Sequence, residues 1–135
     1  MVIDLIVVHC SASPQGRGDT AKTIHSWHLE RGWDGIGYHN VILEDGTIEN
    51  GRPYYWKGSH VRGHNGGSIG ICLIGSRVFT QAQLDALEGL LDTLTGLYPE
   101  ARVCGHCDLD ENKPDCPGFD VGKWYSRKSR PESTE

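Results

Sequence analysis

Two runs of apolar residues constrain the fold of this sequence more than any other feature. The first is nearly continuous over residues 2–8 and is followed by His9. The second covers residues 68–75 and mixes glycine with isoleucine, cysteine and leucine. Continuous apolar runs rich in branched residues are typical of strands that are buried on both faces of a sheet. We therefore expect two neighbouring central strands, with glycines in the second where another group comes close.

The segment between the two runs predicts a helix and a hairpin. Thr20 can cap a helix that continues to about Arg31, and Gly32 then ends it. Asp45-Gly46 lies between extended segments at residues 39–43 and 47–49, and this dipeptide is a strong signal for a tight antiparallel turn.

The second half of the chain predicts a helix, a strand and a further helix. Leucines recur at helical spacing over residues 84–97, between a capping Thr80 and the helix-breaking Pro99, and we expect this leucine stripe to be core. Residues 101–105 form a short last strand, and Asp120 can cap a final helix.

Together these elements predict the fold class: a single α/β domain with a mixed central sheet flanked by helices. A chain of 135 residues suits one domain. We expect the domain to cover residues 1–125 and the polar residues 126–135 to form a disordered tail.

Charge and hydropathy exclude several classes of protein. The net charge is -5 and the basic residues are scattered, so no nucleic-acid partner is expected. No segment reaches the roughly 18 apolar residues of a membrane span, and the run Leu5-Ile6-Val7-Val8 is too short for a signal peptide. We expect no membrane insertion, and synthesis in the cytoplasm.

Three candidate metal ligands lie at strand ends or in the loop after the last strand. His9 follows the first apolar run, and His106 and Cys116 follow the strand at residues 101–105. Two imidazoles and one thiolate leave the fourth position of a tetrahedral site for water, which is the ligand count of a catalytic zinc site. The spacing alone is a weak signal, because only the fold can bring His9 to the other two.

A second interpretation of the cysteines competes with this trio. The five cysteines form an odd set with no disulfide pattern, and Cys104 and Cys107 have the CxxC spacing of structural zinc and redox sites, which Cys116 could complete. An extended segment at residues 102–106 would place Cys104 and Cys107 on opposite faces, whereas such sites need a turn. Buried, inert thiols are the expected state of both, with the CxxC cluster as the alternative.

Short motifs in a fixed order carry a family resemblance. They are Val8-His9-Cys10-Ser11-Ala12, residues 27–33, Gly37-Tyr38-His39, Asp45-Gly46-Thr47, residues 58–65, residues 68–73, Gly105-His106 and residues 115–120. Each motif alone is unspecific, but the ordered set covers the chain from about Val2 to Trp124. The chain resembles the zinc-dependent N-acetylmuramoyl-L-alanine amidases of phage, the amidase-type lysozymes, which share their fold with peptidoglycan recognition proteins.

The resemblance implies a ligand set and a catalytic residue. His9, His106 and Cys116 would bind one zinc ion, and Cys116 is the ligand that separates catalytic members from relatives that only bind peptidoglycan. Tyr38 matches the catalytic tyrosine of the phage enzymes, and it could orient water or donate a hydrogen bond to the oxyanion.

One catalytic position departs from the family pattern. The phage enzymes carry a lysine two residues before the cysteine ligand, where this chain has Pro114, and Lys113 comes one residue earlier. The loop between His106 and Cys116 is also about two residues longer than in the closest pattern. Lys113 is the candidate for the missing positive charge.

The glycine-rich loop at residues 58–67 carries two further candidates. His60 and Asn65 are polar side chains on a glycine-supported loop, which suits contact with a muropeptide at the cleft edge. The alternative is that both hydrogen-bond the loop to itself.

The resemblance implies hydrolysis of the amide bond between N-acetylmuramic acid and L-alanine in peptidoglycan. We expect a monomeric phage or prophage endolysin that is made in the host cytoplasm and reaches the periplasm with the help of a membrane-disrupting partner such as a holin. Two alternatives remain: a cytoplasmic amidase that recycles muropeptides, and a module that binds peptidoglycan or inhibits a partner protein.

Overall fold

Five strands form one mixed sheet in the order β3-β2-β4-β1-β5 in the computed structural model, which describes residues 2–61 and 63–129, with backbone alone for residues 127–129. The strands are β1 Leu5–Cys10, β2 Asn40–Ile42, β3 Ile48–Asn50, β4 Ser68–Leu73 and β5 Arg102–Gly105. The helices are α1 Ala21–Glu30, α2 Gln81–Leu97 and α3 Val121–Ser129, and a single 3-10 turn covers His106–Asp108. No helix in the described residues is both long and apolar enough to cross a membrane.

The two apolar runs form the centre of the sheet, as predicted. Strand β1 pairs in parallel with β4 on one side and β5 on the other, while β2 pairs in parallel with β4 and antiparallel with β3. Because Val8 lies opposite Gly105, the residues that follow, His9 and His106, emerge at the same edge of the sheet. This register brings together two of the predicted ligands that are distant in sequence.

Helices cover the sheet and bury its apolar side chains. Leu87, Leu91 and Leu94 of α2 pack with Val121 of α3 in a cluster that contains alternate residues of β1 and β4. Ile24 of α1 packs in a second cluster with residues of β2 and β4. The fold class predicted from the sequence is therefore confirmed.

Local signals located most element boundaries correctly. Thr20 caps α1 and Arg31 ends it, the Asp45-Gly46 turn joins β2 to β3, and Thr80 caps α2. Asp120 caps α3, where its Oδ1 accepts from the Lys123 N–H at 3.0 Å.

Three details of the sequence-based prediction need correction. Leu97 is the last residue of α2 and is 62% exposed among the described residues, so the buried leucine stripe ends at Leu94. The last strand ends at Gly105, as predicted, but His106, which was expected to lie in an extended segment over residues 102–106, begins a 3-10 turn. Helix α3 continues to Ser129, past the predicted domain boundary at residue 125, and residues 130–135 of the predicted tail lie outside the described residues.

Candidate active site

His9, His106 and Cys116 meet at the carboxyl edge of the sheet. The Nδ1 atoms of His9 and His106 are 3.1 Å apart, and the ligand atoms of all three residues lie within 4.8 Å of one another. Two nitrogens bound to one tetrahedral zinc at about 2.0–2.1 Å would lie about 3.3 Å apart. The three residues are therefore spaced to hold one metal ion.

Cys116 reaches the two histidines from the loop that precedes α3. The Cys107 N–H donates to the Cys116 carbonyl at 2.8 Å, which ties the loop to the end of β5. The Cys10 N–H approaches Cys116 Sγ at 3.3 Å. An N–H donor at this position stabilises the thiolate, which is the form of cysteine that binds metals.

Burial keeps both imidazoles neutral. It is the largest cause of the lowered pKa of His9, followed by His60 and His106, and it also lowers the pKa of His106. Contact with the Cys10 thiol, followed by burial, raises the pKa of Cys116. A metal ion would reverse this last effect, because coordination deprotonates a thiol outright.

The other cysteines do not form a competing cluster. Among the described residues, no group of potential metal ligands includes Cys104 or Cys107. Burial raises the pKa of Cys104 to about 11 and also raises that of Cys107, so both are protonated thiols near neutral pH. Although a turn does follow Cys104, the geometry favours the His9, His106 and Cys116 group over the CxxC alternative.

An open cleft of about 840 Å³ borders the cluster, and its wall includes Tyr38, His60, His106 and Lys113. The Tyr38 ring centroid lies 5.0 Å from that of His9. Burial is the main cause of the strongly raised pKa of Tyr38, so its hydroxyl keeps its proton. Tyr38 can therefore act as a hydrogen-bond donor beside the cluster.

Lys113 lies on the exposed wall of the same cleft. Its positive charge contributes to the lowered pKa values of both His9 and His106. The Lys113 N–H donates to the Asp110 carbonyl and the Lys113 carbonyl accepts from the Cys116 N–H. The loop therefore turns at Lys113, which lies in the cleft wall despite Pro114. Its part in catalysis stays a prediction.

His60 and Asn65 both border the cleft, but the bonds they make are within the protein. The Asn65 side-chain oxygen accepts from the backbone N–H groups of His60 and Val61 at 2.8 and 2.9 Å. His60 is buried, with Nδ1 2.9 Å from His9 Nε2, and burial is the main cause of its pKa of about 3. These contacts agree with the alternative in which both residues form hydrogen bonds within the protein. Substrate binding by either residue stays a prediction.

Some cleft residues were not singled out from the sequence. Asp110 places Oδ2 3.9 Å from His106 Nε2, and the Arg31 guanidinium lies 5.6 Å from the centre of the Trp33 ring. Nothing in the sequence around Asp110 indicates that this residue lies close to His106. Glycine at position 70 did carry a signal. It predicted that another group would come close to this strand, and the His60 ring packs there.

The fold and this cluster define a class: an α/β protein with a candidate metal-assisted hydrolytic centre in an open cleft. A family model described as N-acetylmuramoyl-L-alanine amidase matches residues 1–119. The endolysin of Enterobacteria phage K11 is 41% identical over 125 residues, covering 87% of this chain and 82% of that protein. The endolysin of Escherichia phage T7 is 39% identical over 132 residues, covering 92% and 86%.

Solved structures agree with these sequence relatives. An N-acetylmuramoyl-L-alanine amidase from Clostridium intestinale matches with a TM-score of 0.83 and 32% identity, over 93% of this chain and 84% of that one. Drosophila PGRP-LB matches with a TM-score of 0.77 and 29% identity, over 96% and 82%. The chain belongs to the N-acetylmuramoyl-L-alanine amidase family, and the predicted family and class of enzyme are confirmed.

Proposed function

We propose that this protein is a zinc-dependent amidase that cuts the bond between N-acetylmuramic acid and L-alanine in peptidoglycan and acts as an endolysin. The observation that carries the proposal is the convergence of His9 Nδ1, His106 Nδ1 and the Cys116 thiol beside an open cleft. Membership of the amidase family supports peptidoglycan as the substrate, and relatives named as endolysins support a role in lysis.

The donor set favours zinc. Two neutral imidazoles and one thiolate match the borderline softness of zinc, and three protein ligands are typical of its catalytic sites. When bound there, zinc would lower the pKa of a water molecule towards about 7 and polarise the scissile carbonyl.

Tyr38 and Lys113 supply the remaining groups that the reaction needs. Tyr38 keeps its phenol proton and can donate to the carbonyl oxygen as negative charge develops on it. Lys113 adds a positive charge on the same cleft wall. The ammonium is repelled by a cationic site in the free enzyme, so its benefit is greatest in the transition state.

A role in host lysis implies where the protein is made and where it acts. We propose that it is a monomer, that it is made in the host cytoplasm, and that it acts on the wall from the periplasm after a holin has opened the membrane. The relatives from phages K11 and T7 are both named endolysins, which supports this role over the recycling of soluble muropeptides.

Mass spectrometry of digested sacculi tests the activity. The purified protein should release stem peptides whose L-alanine has a free amine, and a zinc chelator should abolish this release until zinc is restored. Activity on soluble anhydromuropeptides but not on intact sacculi would support a recycling amidase instead. Binding of sacculi without release would support a binding module.

Elemental analysis of variants tests the ligands. The wild-type protein should hold one zinc per chain, and Cys116→Ala should lose most of it. The matched control is Cys104→Ala, which removes a thiol from the same part of the chain and should keep its zinc. The opposite result, with zinc lost from Cys104→Ala alone, would favour the CxxC cluster.

A further inference from the structure

The His60 side chain connects the cluster to strand β4. Its Nδ1 lies 2.9 Å from His9 Nε2, and its Nε2 lies 3.0 Å from the Ser68 hydroxyl oxygen. That hydroxyl oxygen lies 2.6 Å from the His64 carbonyl oxygen and 3.2 Å from the Asn65 carbonyl oxygen. A continuous hydrogen-bonded chain therefore runs from backbone carbonyls to a candidate metal ligand.

The backbone carbonyls at one end of this series of hydrogen bonds set the direction of each bond in it. A carbonyl oxygen can only accept, so the single proton of the Ser68 hydroxyl points towards His64. The hydroxyl oxygen then accepts from the Nε2–H of His60. A neutral imidazole has one N–H, so His60 Nδ1 accepts from the Nε2–H of His9. The same rule leaves His9 Nδ1 unprotonated, with its lone pair on the side of His106.

Two glycines leave the space in which the His60 ring lies, and the two hydrogen bonds of the ring set its orientation. A Cβ atom at Gly58 would lie 2.6 Å from Cδ2 of the ring, and a Cβ atom at Gly70 would lie 2.6 Å from Cγ. Neither distance occurs between real atoms of this kind, so the ring lies in a slot that only glycines leave open. A 180° rotation of the ring would exchange Nδ1 for Cδ2 and break both hydrogen bonds.

We propose that His60 is a positioning residue that fixes His9 as its Nε2–H tautomer and so presents His9 Nδ1 to the metal. This role rests on the zinc-dependent function proposed above. Replacing the partner of a metal-bound histidine commonly costs about 10- to 100-fold in metal affinity or activity. His106 differs from His9, because its Nε2 faces Asp110 at 3.9 Å, too far for a direct hydrogen bond.

Two amide substitutions separate positioning from packing. The side-chain oxygen of asparagine occupies the place of Nδ1 and can still accept from His9, whereas the amide of glutamine reaches the place of Nε2. Zinc affinity, measured by competition with a chromophoric chelator, should fall by about 10- to 100-fold in His60→Gln and by less in His60→Asn. A packing role predicts the opposite order, because glutamine fills more of the slot, and that order would overturn the proposal.

His39→Gln is the matched control for loss of a buried imidazole. His39 accepts from the Gly70 N–H at 3.0 Å and contacts the Trp56 carbonyl at 2.8 Å, but makes no hydrogen bond to the cluster in the described residues. We expect this variant to keep the zinc affinity of the wild type. A loss as large as that of His60→Gln would show that general destabilisation explains both, and would contradict the role of His60.

Nitrogen-15 NMR of the histidine side chains tests the tautomers directly, without catalysis. In the zinc-free wild-type protein, His9 and His60 should both be protonated at Nε2 and unprotonated at Nδ1. An Nδ1–H on His60 in a protein that binds zinc would overturn the role of His60 alone. Absence of zinc binding by the wild type would overturn the proposed function, and the role of His60 with it.

Discussion

At the scale of single residues, Tyr38 combines a ring packed beside the candidate metal ligands with a hydroxyl that keeps its proton. Its ring packs between His9 and His28, with ring centroids 5.0 and 5.7 Å away. Burial strongly raises its pKa, so the phenol is a donor and not a base. Side-chain packing of this kind holds a donor in place before the substrate arrives, which is the arrangement that stabilises a developing oxyanion.

We expect Tyr38→Phe to fold and to keep its zinc but to lose about 10²- to 10³-fold in kcat, the usual cost of removing one oxyanion donor. The ring remains, so its contacts with His9 and His28 should survive. Release of stem peptides from sacculi measures the rate. Tyr54→Phe, which removes a hydroxyl bonded to Asn40 outside the cleft that Tyr38 lines, should show the parental rate. A parental rate in Tyr38→Phe would make Tyr38 a packing residue.

Lys113 should act through its charge in the transition state. We expect Lys113→Ala to lower kcat about tenfold, which corresponds to about 1.4 kcal/mol, and to leave KM and zinc content nearly unchanged. Lys123→Ala removes the same charge from an exposed position on α3 and serves as the control. Cleavage of sacculi by Lys113→Ala at the parental rate would reduce Lys113 to a solvated loop residue.

The candidate ligands and their supporting residues were not equally predictable. His9, His106 and Cys116 carry motif signals, so the family pattern groups them from the sequence alone. The bond from His60 to His9 joins residues 51 positions apart, and nothing local in either motif encodes it. Glycine at position 70 indicated that some group would approach β4, but a sequence pattern cannot name that group.

At the scale of elements, the Gln83 side chain ties the start of α2 to the sheet. The Thr80 hydroxyl accepts from the Gln83 N–H, and the Gln83 side-chain oxygen accepts from the Thr80 N–H. The Gln83 side-chain nitrogen also donates to the carbonyls of Ile42 and Ile74 at 3.2 and 2.8 Å. Gln83 is therefore a cap for the helix and a buried partner for the ends of two strands.

We expect Gln83→Leu to destabilise the protein more than Thr80→Ala. The first change leaves the buried carbonyl of Ile74 without the Gln83 donor, which costs about 1–3 kcal/mol, and it also removes half of the capping box. The second removes a cap and a bond to the Glu44 carbonyl, both at an exposed position, and loss of such a cap typically costs about 1 kcal/mol. Urea unfolding at equal zinc loading measures both. The reverse order would mean that the cap, and not the buried bonds, holds α2 in place.

Element boundaries were predictable where the signal is local and failed where it is not. The caps of α1 and α2 and the Asp45-Gly46 turn depend on neighbouring residues, and all were located correctly. The exposure of Leu97 depends on how far the rest of the molecule covers α2, which helical spacing does not reveal. The turn at His106 depends on Cys116, whose carbonyl accepts from Cys107 across the loop.

At the scale of the whole molecule, the fold buries many neutral imidazoles. Burial is the largest cause of a lowered pKa for each of five histidines: His9, His28, His39, His60 and His106. In the unfolded chain each would titrate near 6.5. The unfolded state therefore binds more protons than the folded state in mildly acidic solution, and stability must fall as the pH falls below about 6.5.

The pH dependence of stability can be tested at His28 without a change of ligand, because His28 is not a candidate metal ligand. Its Nδ1 accepts from the Gly37 N–H at 2.9 Å, and burial, followed by Arg31, lowers its pKa to about 4. The stabilisation from neutral His28 is complete above pH 6.5 and is lost as the pH falls towards 4. At pH 5 the loss is on the order of 2 kcal/mol.

We therefore expect the free energy of unfolding in urea to fall between pH 7.5 and pH 5, and to fall by on the order of 2 kcal/mol less in His28→Gln than in the wild type. Glutamine does not titrate, so any cost of lost packing appears equally at both pH values. Zinc release at low pH affects both proteins alike and cancels in the difference. An equal pH dependence in both would show that His28 titrates in the folded protein as it does in the unfolded chain.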